Sequence, residues 1–207
     1  LLMAALHLKF TIINFNFMKI ENIELYYLSM PEILDEADGS QDALIVKVEA
    51  GGYIGWGECE ASPLTSIANF ICPKSHSAAK PIKDTILGSE LNSLNDVKKI
   101  IHNVKQNSLM IAQTPHTFSG IEVAILDLLG KKNQTSIYDM IGYKKSNPKI
   151  AYASVLFGNS PDETLNIAKE MKEKKFKAVK FGWQNFGLNL KNDKDHLIAA
   201  REGLGKD

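Results

Sequence analysis

The chain has 207 residues, and its 24 Lys and Arg balance its 24 Asp and Glu to give no formal net charge. Apolar residues make up 44% and charged residues 23%, the proportions of an ordinary globular protein rather than a disordered chain, a collagen-like repeat or a disulfide scaffold. The balanced charge excludes the basic excess that nucleic-acid binding needs, and the length suffices for one domain or two.

Residues 1–17 are apolar but interrupted by Lys9, Asn14 and Asn16. They carry no basic n-region and no small-x-small cleavage site, and they are too short and too polar to span a bilayer. They are read as an upstream extension outside the fold, and the protein as cytoplasmic. Residues 19–28 and 43–49 have strand composition with partial period-two alternation. The polar stretch 29–42 joins them, and it is longer than most connections, a property of functional loops. Ala50-Gly51-Gly52 predicts a hairpin turn into Tyr53–Cys59, completing a three-stranded antiparallel meander.

Helical signals follow. Ser93-Leu94-Asn95-Asp96 reads as a capping box leading into Val97, Ile100, Ile101 and Val104. Ser119-Gly120-Ile121-Glu122 reads as a second box. It is expected to open a helix with Ile121, Ala124, Ile125, Leu128 and Leu129 on one face, closed by Gly130. His116 is placed in a turn before that helix. Strands followed by helices describe an α+β domain over 18–147. From 148 to 207 the pattern alternates: a strand at 150–157, a helix capped by Ser160-Pro161-Asp162-Glu163, and a strand at 176–181. A polar loop at 183–192 then leads to a helix from about Asp193 to Leu204, stopped by Gly205. This β-α-β-α run is the repeating unit of a parallel sheet or barrel, and two units do not close a barrel, which needs eight.

Few residues stand out chemically when read alone. Cys59 and Cys72 lack CxxC spacing and read as reduced thiols. His76, His102, His116 and His196 form no i,i+4 pair, so no zinc site is expected. Glu58 and Glu60 could be an acid/base pair, although loop acids are more often solvated. Glu122 and Asp127 read as capping and surface groups, and Trp56 as packing. Lys180, at a strand end, would by itself be taken for a lysine reaching solvent.

Three stretches carry a resemblance. Gly55-Trp56-Gly57-Glu58-Cys59-Glu60-Ala61-Ser62-Pro63 resembles a G-W-G-E-x-x-x-x-P motif. Ser119–Lys131, running on through Ile137–Gly142 to Ile150–Ser154, resembles an interdomain helix followed by a first barrel strand. Phe176-Lys177-Ala178-Val179-Lys180-Phe181-Gly182 resembles a second barrel strand. Their order is that of the enolase superfamily, in its mandelate racemase/muconate lactonizing enzyme group.

The resemblance implies an α+β capping domain followed by the first β-α-β-α units of a truncated TIM-like (β/α) barrel. The active site would lie at the C-terminal ends of the barrel strands, under capping loops at 29–42 and 58–68. It also implies a Mg²⁺-dependent enzyme that removes a proton α to a carboxylate, with the metal stabilising the enediolate. The three acidic metal ligands would lie beyond Asp207, on later strands. The group carries Lys-x-Lys at the second strand end; here the matching residues are Lys180, Phe181 and Gly182. Lys180 is then expected to bind or polarise the substrate carboxylate, or to act as base, with Glu58 and Trp183 shaping the substrate pocket. With glycine at the second lysine position, a sugar-acid dehydratase is expected of the full-length protein. The alternatives are a racemase or cycloisomerase, or a non-catalytic interaction protein on the same scaffold. The expected partners are a small carboxylate and further copies of the chain, with no nucleic acid and no membrane.

Overall fold

The computed structural model describes residues 17–33, 41–59, 62–145 and 147–206. The extension at 1–17 (Phe17 apart), Glu60 and Asp207 lie outside the described residues. The chain divides into two compact units. Of the described residues, one unit comprises those up to Ser29 and those within Asp42–Lys144, and the other those within Met30–Gln41 and from Lys145 onward.

In the first unit β1 (Ile20–Leu28), β2 (Ala43–Ala50) and β3 (Tyr53–Cys59) form an antiparallel sheet in the order β1-β2-β3. Gly51 and Gly52 take φ of 56° and 80°, the paired positive values that a two-residue hairpin turn requires. Period-two alternation sends Leu44, Val46, Val48 and Ala50 of β2 inward with no exposed surface. The register sets Gly55, Gly57 and Cys59 of β3 beside Val48, Val46 and Leu44 on that same inner face.

Helix α4 (Thr114–Asn133) covers this face, burying Ile121, Ala124, Ile125, Leu128 and Leu129. The helix begins five residues before the expected start at Ser119, so His116 lies in its first turn rather than in a preceding turn. Thr114-Pro115 opens it, because proline at the first helical positions costs no hydrogen bond. Ser119 does not cap: its hydroxyl donates to the His116 carbonyl at 2.7 Å, the local bond that a mid-helix serine makes. The helix also runs past Gly130 to Asn133, ending at Gln134 in the left-handed region.

The glycines at this contact have a steric reason. A Cβ on Gly57 would fall against the Gly120 carbonyl, and one on Gly55 against the Ala124 carbonyl. A Cβ on Gly120 would sit 2.6 Å from Cys59 Sγ. The helix therefore rides directly on the β3 backbone. It also seals the outer edge of that strand: the Trp56 N–H donates to Asp127 at 2.8 Å, and Lys131 donates to the Ile54 carbonyl at 3.0 Å.

The expected capping box at Ser93 is present. α3 (Leu94–Asn107) has Ser93 and Asp96 bonded reciprocally and buries Val97, Ile100 and Val104. Three short helices went unread in the sequence: α1 (Pro63–Ile71), α2 (Ile82–Ile86) and α5 (Ile137–Met140). The first occupies much of the expected 58–68 loop, with Pro63 in its opening turn.

The second unit contains β4 (Ala153–Leu156), α6 (Pro161–Glu173), β5 (Val179–Gly182) and α7 (Leu190–Leu204). β4 and β5 pair in parallel, Ser154 beside Lys180 and Leu156 beside Gly182. Ser160 caps α6 and Gly205 follows α7 as expected, but α7 starts at Leu190, where Asn189 accepts from the Asn192 N–H. α6 and α7 approach closely at Gly203, where a Cβ would lie 2.5 Å from that of Ala168.

Candidate functional site

Alternation along β4 and β5 divides the side chains of the second unit between two faces. Ala153, Val155, Val179 and Phe181 share one, and Phe157 continues it with its ring 5.3 Å from that of Phe181. Val179 and Phe181 line a cleft with Leu197, Ala200 and Leu204 of α7, which makes this the helix side. Ser154, Leu156, Lys180 and Gly182 lie on the opposite face. Lys180 is therefore presented away from the helices, and a Cβ built at Gly182, two residues on, would meet nothing within 4 Å among the described residues.

The chain leaving β5 turns sharply. Trp183 and Gln184 take φ of 57° and 53°, consecutive left-handed residues without the freedom of glycine. This turn brings the Trp183 ring to the Lys180 ammonium, with Nζ 4.5 Å from the ring centroid, a cation–π distance. The next residues hold the turn. Asn185 Nδ2 donates to the Asn159 carbonyl at 3.0 Å, tying the β5–α7 loop to the β4–α6 loop. Asn192 Nδ2 donates to the Asn185 carbonyl at 2.7 Å, and the Gly187 N–H donates to Asp193 at 2.8 Å.

Behind the sheet lies a polar cluster that sequence reading passed over. The Gly158 N–H donates to Thr164 Oγ1 at 2.9 Å, and that hydroxyl is 2.8 Å from Nδ1 of the fully buried His196. Among the described residues His196 Nε2 has no hydrogen-bond partner, and its ring meets that of Phe157 edge-on. The Ser160 cap drew attention to the helix start and hid Thr164. His196, four residues before Ala200 on the buried stripe of α7, was legible as a packed histidine and not as a ligand.

The residues named from the sequence are thus only partly brought together. Lys180 and Trp183 are in contact. Glu58 belongs to the first unit and is the penultimate residue of β3 rather than a loop residue, exposed on the outer sheet face opposite Ile45. Trp56 also faces outward, 44% exposed, with its ring 6.0 Å from that of Tyr26. This outer face carries a charged network: Lys47 bonds Glu49 and Glu24, and the Tyr26 hydroxyl donates to Glu24. Those bonds hold Glu24 and Glu49 below the usual carboxylate range and Lys47 above the usual lysine value. Cys59 is no nucleophile; burial pushes its thiol up to about 11.

A Mg²⁺ site needs several oxygen donors converging on one point. Among the described residues no group of three or more Asp, Glu, His or Cys could hold a metal ion. These residues therefore do not fit the ion. Nor, among the described residues, is any helix long and apolar enough to cross a membrane.

Residues 34–142 match the family model described as "Mandelate racemase / muconate lactonizing enzyme, N-terminal domain". An N-succinyl-L-Arg/Lys racemase of Bacillus cereus is 27% identical over 196 residues, 92% of this chain and 50% of that protein. A D-gluconate/D-galactonate dehydratase of Picrophilus torridus is 26% identical over 200 residues, 91% of this chain and 48% of that protein. A crystal structure of a predicted mandelate racemase from Rhodobacter sphaeroides is 51% identical with a TM-score of 0.83, covering 91% of this chain and 48% of that one. The chain spans about half the length of the curated relatives it matches.

Proposed function

This chain belongs to the mandelate racemase/muconate lactonizing enzyme family, and from that premise we propose that the whole protein abstracts a proton α to a carboxylate, with Lys180 meeting that carboxylate. In this reading β4-α6-β5-α7 opens a (β/α) barrel, and its active site lies at the strand ends that carry Lys180 and Trp183.

The observation that carries the reading is the placement of Lys180. It lies on the sheet face away from the helices, with no acidic partner among the described residues and with a fixed indole beside it. Such an ammonium orients a carboxylate and draws electron density from it, which makes the α proton more acidic. A base at 182, which would approach the α carbon from the same side as Lys180, is missing because that residue is glycine. One-base chemistry then fits better than two-base racemisation, and elimination of water from a hydroxy acid is the reaction proposed. The substrate class is a sugar acid, in line with the dehydratase relative. The racemase relative favours a second reading, in which an N-acyl amino acid is racemised.

The test is a panel of sugar acids and N-acyl amino acids offered to the full-length protein with Mg²⁺. Turnover of a sugar acid to its 2-keto-3-deoxy product is expected, with Lys180→Met losing about 100-fold or more in kcat/KM. Turnover of N-acyl amino acids alone would move the assignment to racemisation. Undiminished activity in Lys180→Met would remove the lysine from the site.

A further inference from the structure

Lys180 carries a flexible four-carbon stem, and on an open sheet face nothing in its own strand fixes where the ammonium points. Trp183 supplies that constraint. Two left-handed residues in succession, Trp183 and Gln184, are costly for side chains with a Cβ, and such conformations persist only where surrounding bonds enforce them. The enforcing bonds are present: Asn185 to Asn159, Asn192 to Asn185, and Gly187 to Asp193. The Phe186 N–H also returns to the Trp183 carbonyl at 3.2 Å, and the Phe157 N–H to the Gly182 carbonyl at 3.1 Å. Two neighbouring loops are therefore latched around a turn whose one projecting aromatic ring meets the lysine. The Trp183 ring is itself half exposed, so it is not held there by burial in a core. Among the described residues nothing lies within 4 Å of a Cβ placed at Gly182, which leaves room for the lysine stem to swing, and the indole opposes that swing.

We propose that Trp183 is a positioning residue for Lys180, its indole face fixing the ammonium on the Ser154 side of the β4–β5 pair so that the lysine meets a carboxylate as a preset cation. This rests on the reading of Lys180 as the residue that meets the carboxylate. Tryptophan offers the strongest ring quadrupole for a cation, and phenylalanine a weaker one of related shape. The expected order of effect is therefore Trp, then Phe, then Ala. Fixing the charge in advance removes an ordering cost from ligand binding.

The role is tested by acetylation of the folded protein with a small activated ester, read lysine by lysine by mass spectrometry. Lys177, before β5 and away from the indole, is the internal reference. Trp183→Ala is expected to raise the acetylation rate of Lys180 about two- to fivefold over Lys177, the range an exposed cation–π contact supports. Trp183→Phe is expected to restore part of the protection. An unchanged Lys180 rate in Trp183→Ala, or a Phe variant no better than Ala, would overturn the proposal. Should Trp183→Ala fail to fold, a second measurement serves. In Lys180→Met the rate at which N-bromosuccinimide oxidises Trp183, read residue by residue by mass spectrometry, is expected to change, and an unchanged rate would overturn the contact. Binding of D-gluconate to the full-length protein separates the two levels. If Lys180→Met leaves that affinity unchanged while the labelling result holds, the carboxylate reading fails and the positioning role falls with it. If Lys180→Met abolishes binding but the indole does not protect the lysine, the positioning role fails alone.

Discussion

A single methyl group separates two very different glycines in this chain. On Gly57 it would strike the Gly120 carbonyl, a backbone atom that cannot yield without moving α4. Gly57→Ala is expected to cost about 3 kcal/mol or to prevent folding, read as a lowered urea midpoint. On Gly182 it would meet no described residue within 4 Å, so Gly182→Ala is expected to change stability by less than about 1 kcal/mol by the same measurement. Both positions were legible as members of motifs, but not the reason for either. The reason for Gly57 is a helix more than sixty residues later, and that for Gly182 is an emptiness that no residue type announces. Cys59 gives a further test at this scale. Burial raises its thiol to about 11, so it is expected to resist iodoacetamide at pH 8 while the half-buried Cys72 reacts. Because the folded value is raised, the associated stability is complete below the ordinary thiol value near 9.0 and is lost as pH rises toward 11.

At the scale of the element, the start of α3 shows how far local chemistry reaches. Ser93 accepts from the Asp96 N–H, while Asp96 accepts from the Asn92 and Ser93 N–H groups and pairs with Lys99. Partial burial would raise the Asp96 carboxyl, yet these bonds outweigh it and hold the group below the usual carboxylate range. Asp96→Ala is expected to cost about 1 kcal/mol in a denaturant titration. The sign of the pH effect follows from the lowered folded value: the stabilisation is present above the unfolded value near 3.8 and lost as pH falls through the folded one. A wild-type midpoint that falls in acid no faster than that of Asp96→Ala would contradict this. The caps at Ser93 and Ser160 could be read because each is completed within four residues of chain. The apparent cap at Ser119 misled because the same serine–acid spacing occurs inside a helix when the strand beneath demands glycine at 120. The strands β4 and β5 came out shorter than the apolar runs suggested, since only Ala153–Leu156 and Val179–Gly182 find partners.

For the molecule as a whole, β5 is the decisive strand. It pairs with β4 on one side, and in the described sheet nothing pairs with its other side. An open parallel edge with an apolar cleft between Phe181 and Leu197 beside it is an invitation to association. The 207-residue polypeptide alone is therefore expected to be poorly soluble or marginally stable, seen as aggregation in light scattering. A sharp, monomeric two-state melt would count against this. The first unit, with its own core from Met18 to Leu129, was largely readable from strand alternation and helix period. The chemistry was less so, because of the residues named as site candidates only Lys180 and Trp183 come into contact, through a turn that the sequence does not announce.

The seal that α4 places on β3 also bears on the order in which the chain is made. Trp56 and Asp127 are 71 residues apart, and Ile54 and Lys131 are 77. On a ribosome the meander emerges long before its cover, leaving Leu44, Val46 and Val48 bare until α4 follows. Nascent chains stalled short of α4 are thus expected to engage holdase chaperones and to be cut by protease. Release of both liabilities should come in one step, once Lys131 has cleared the exit tunnel.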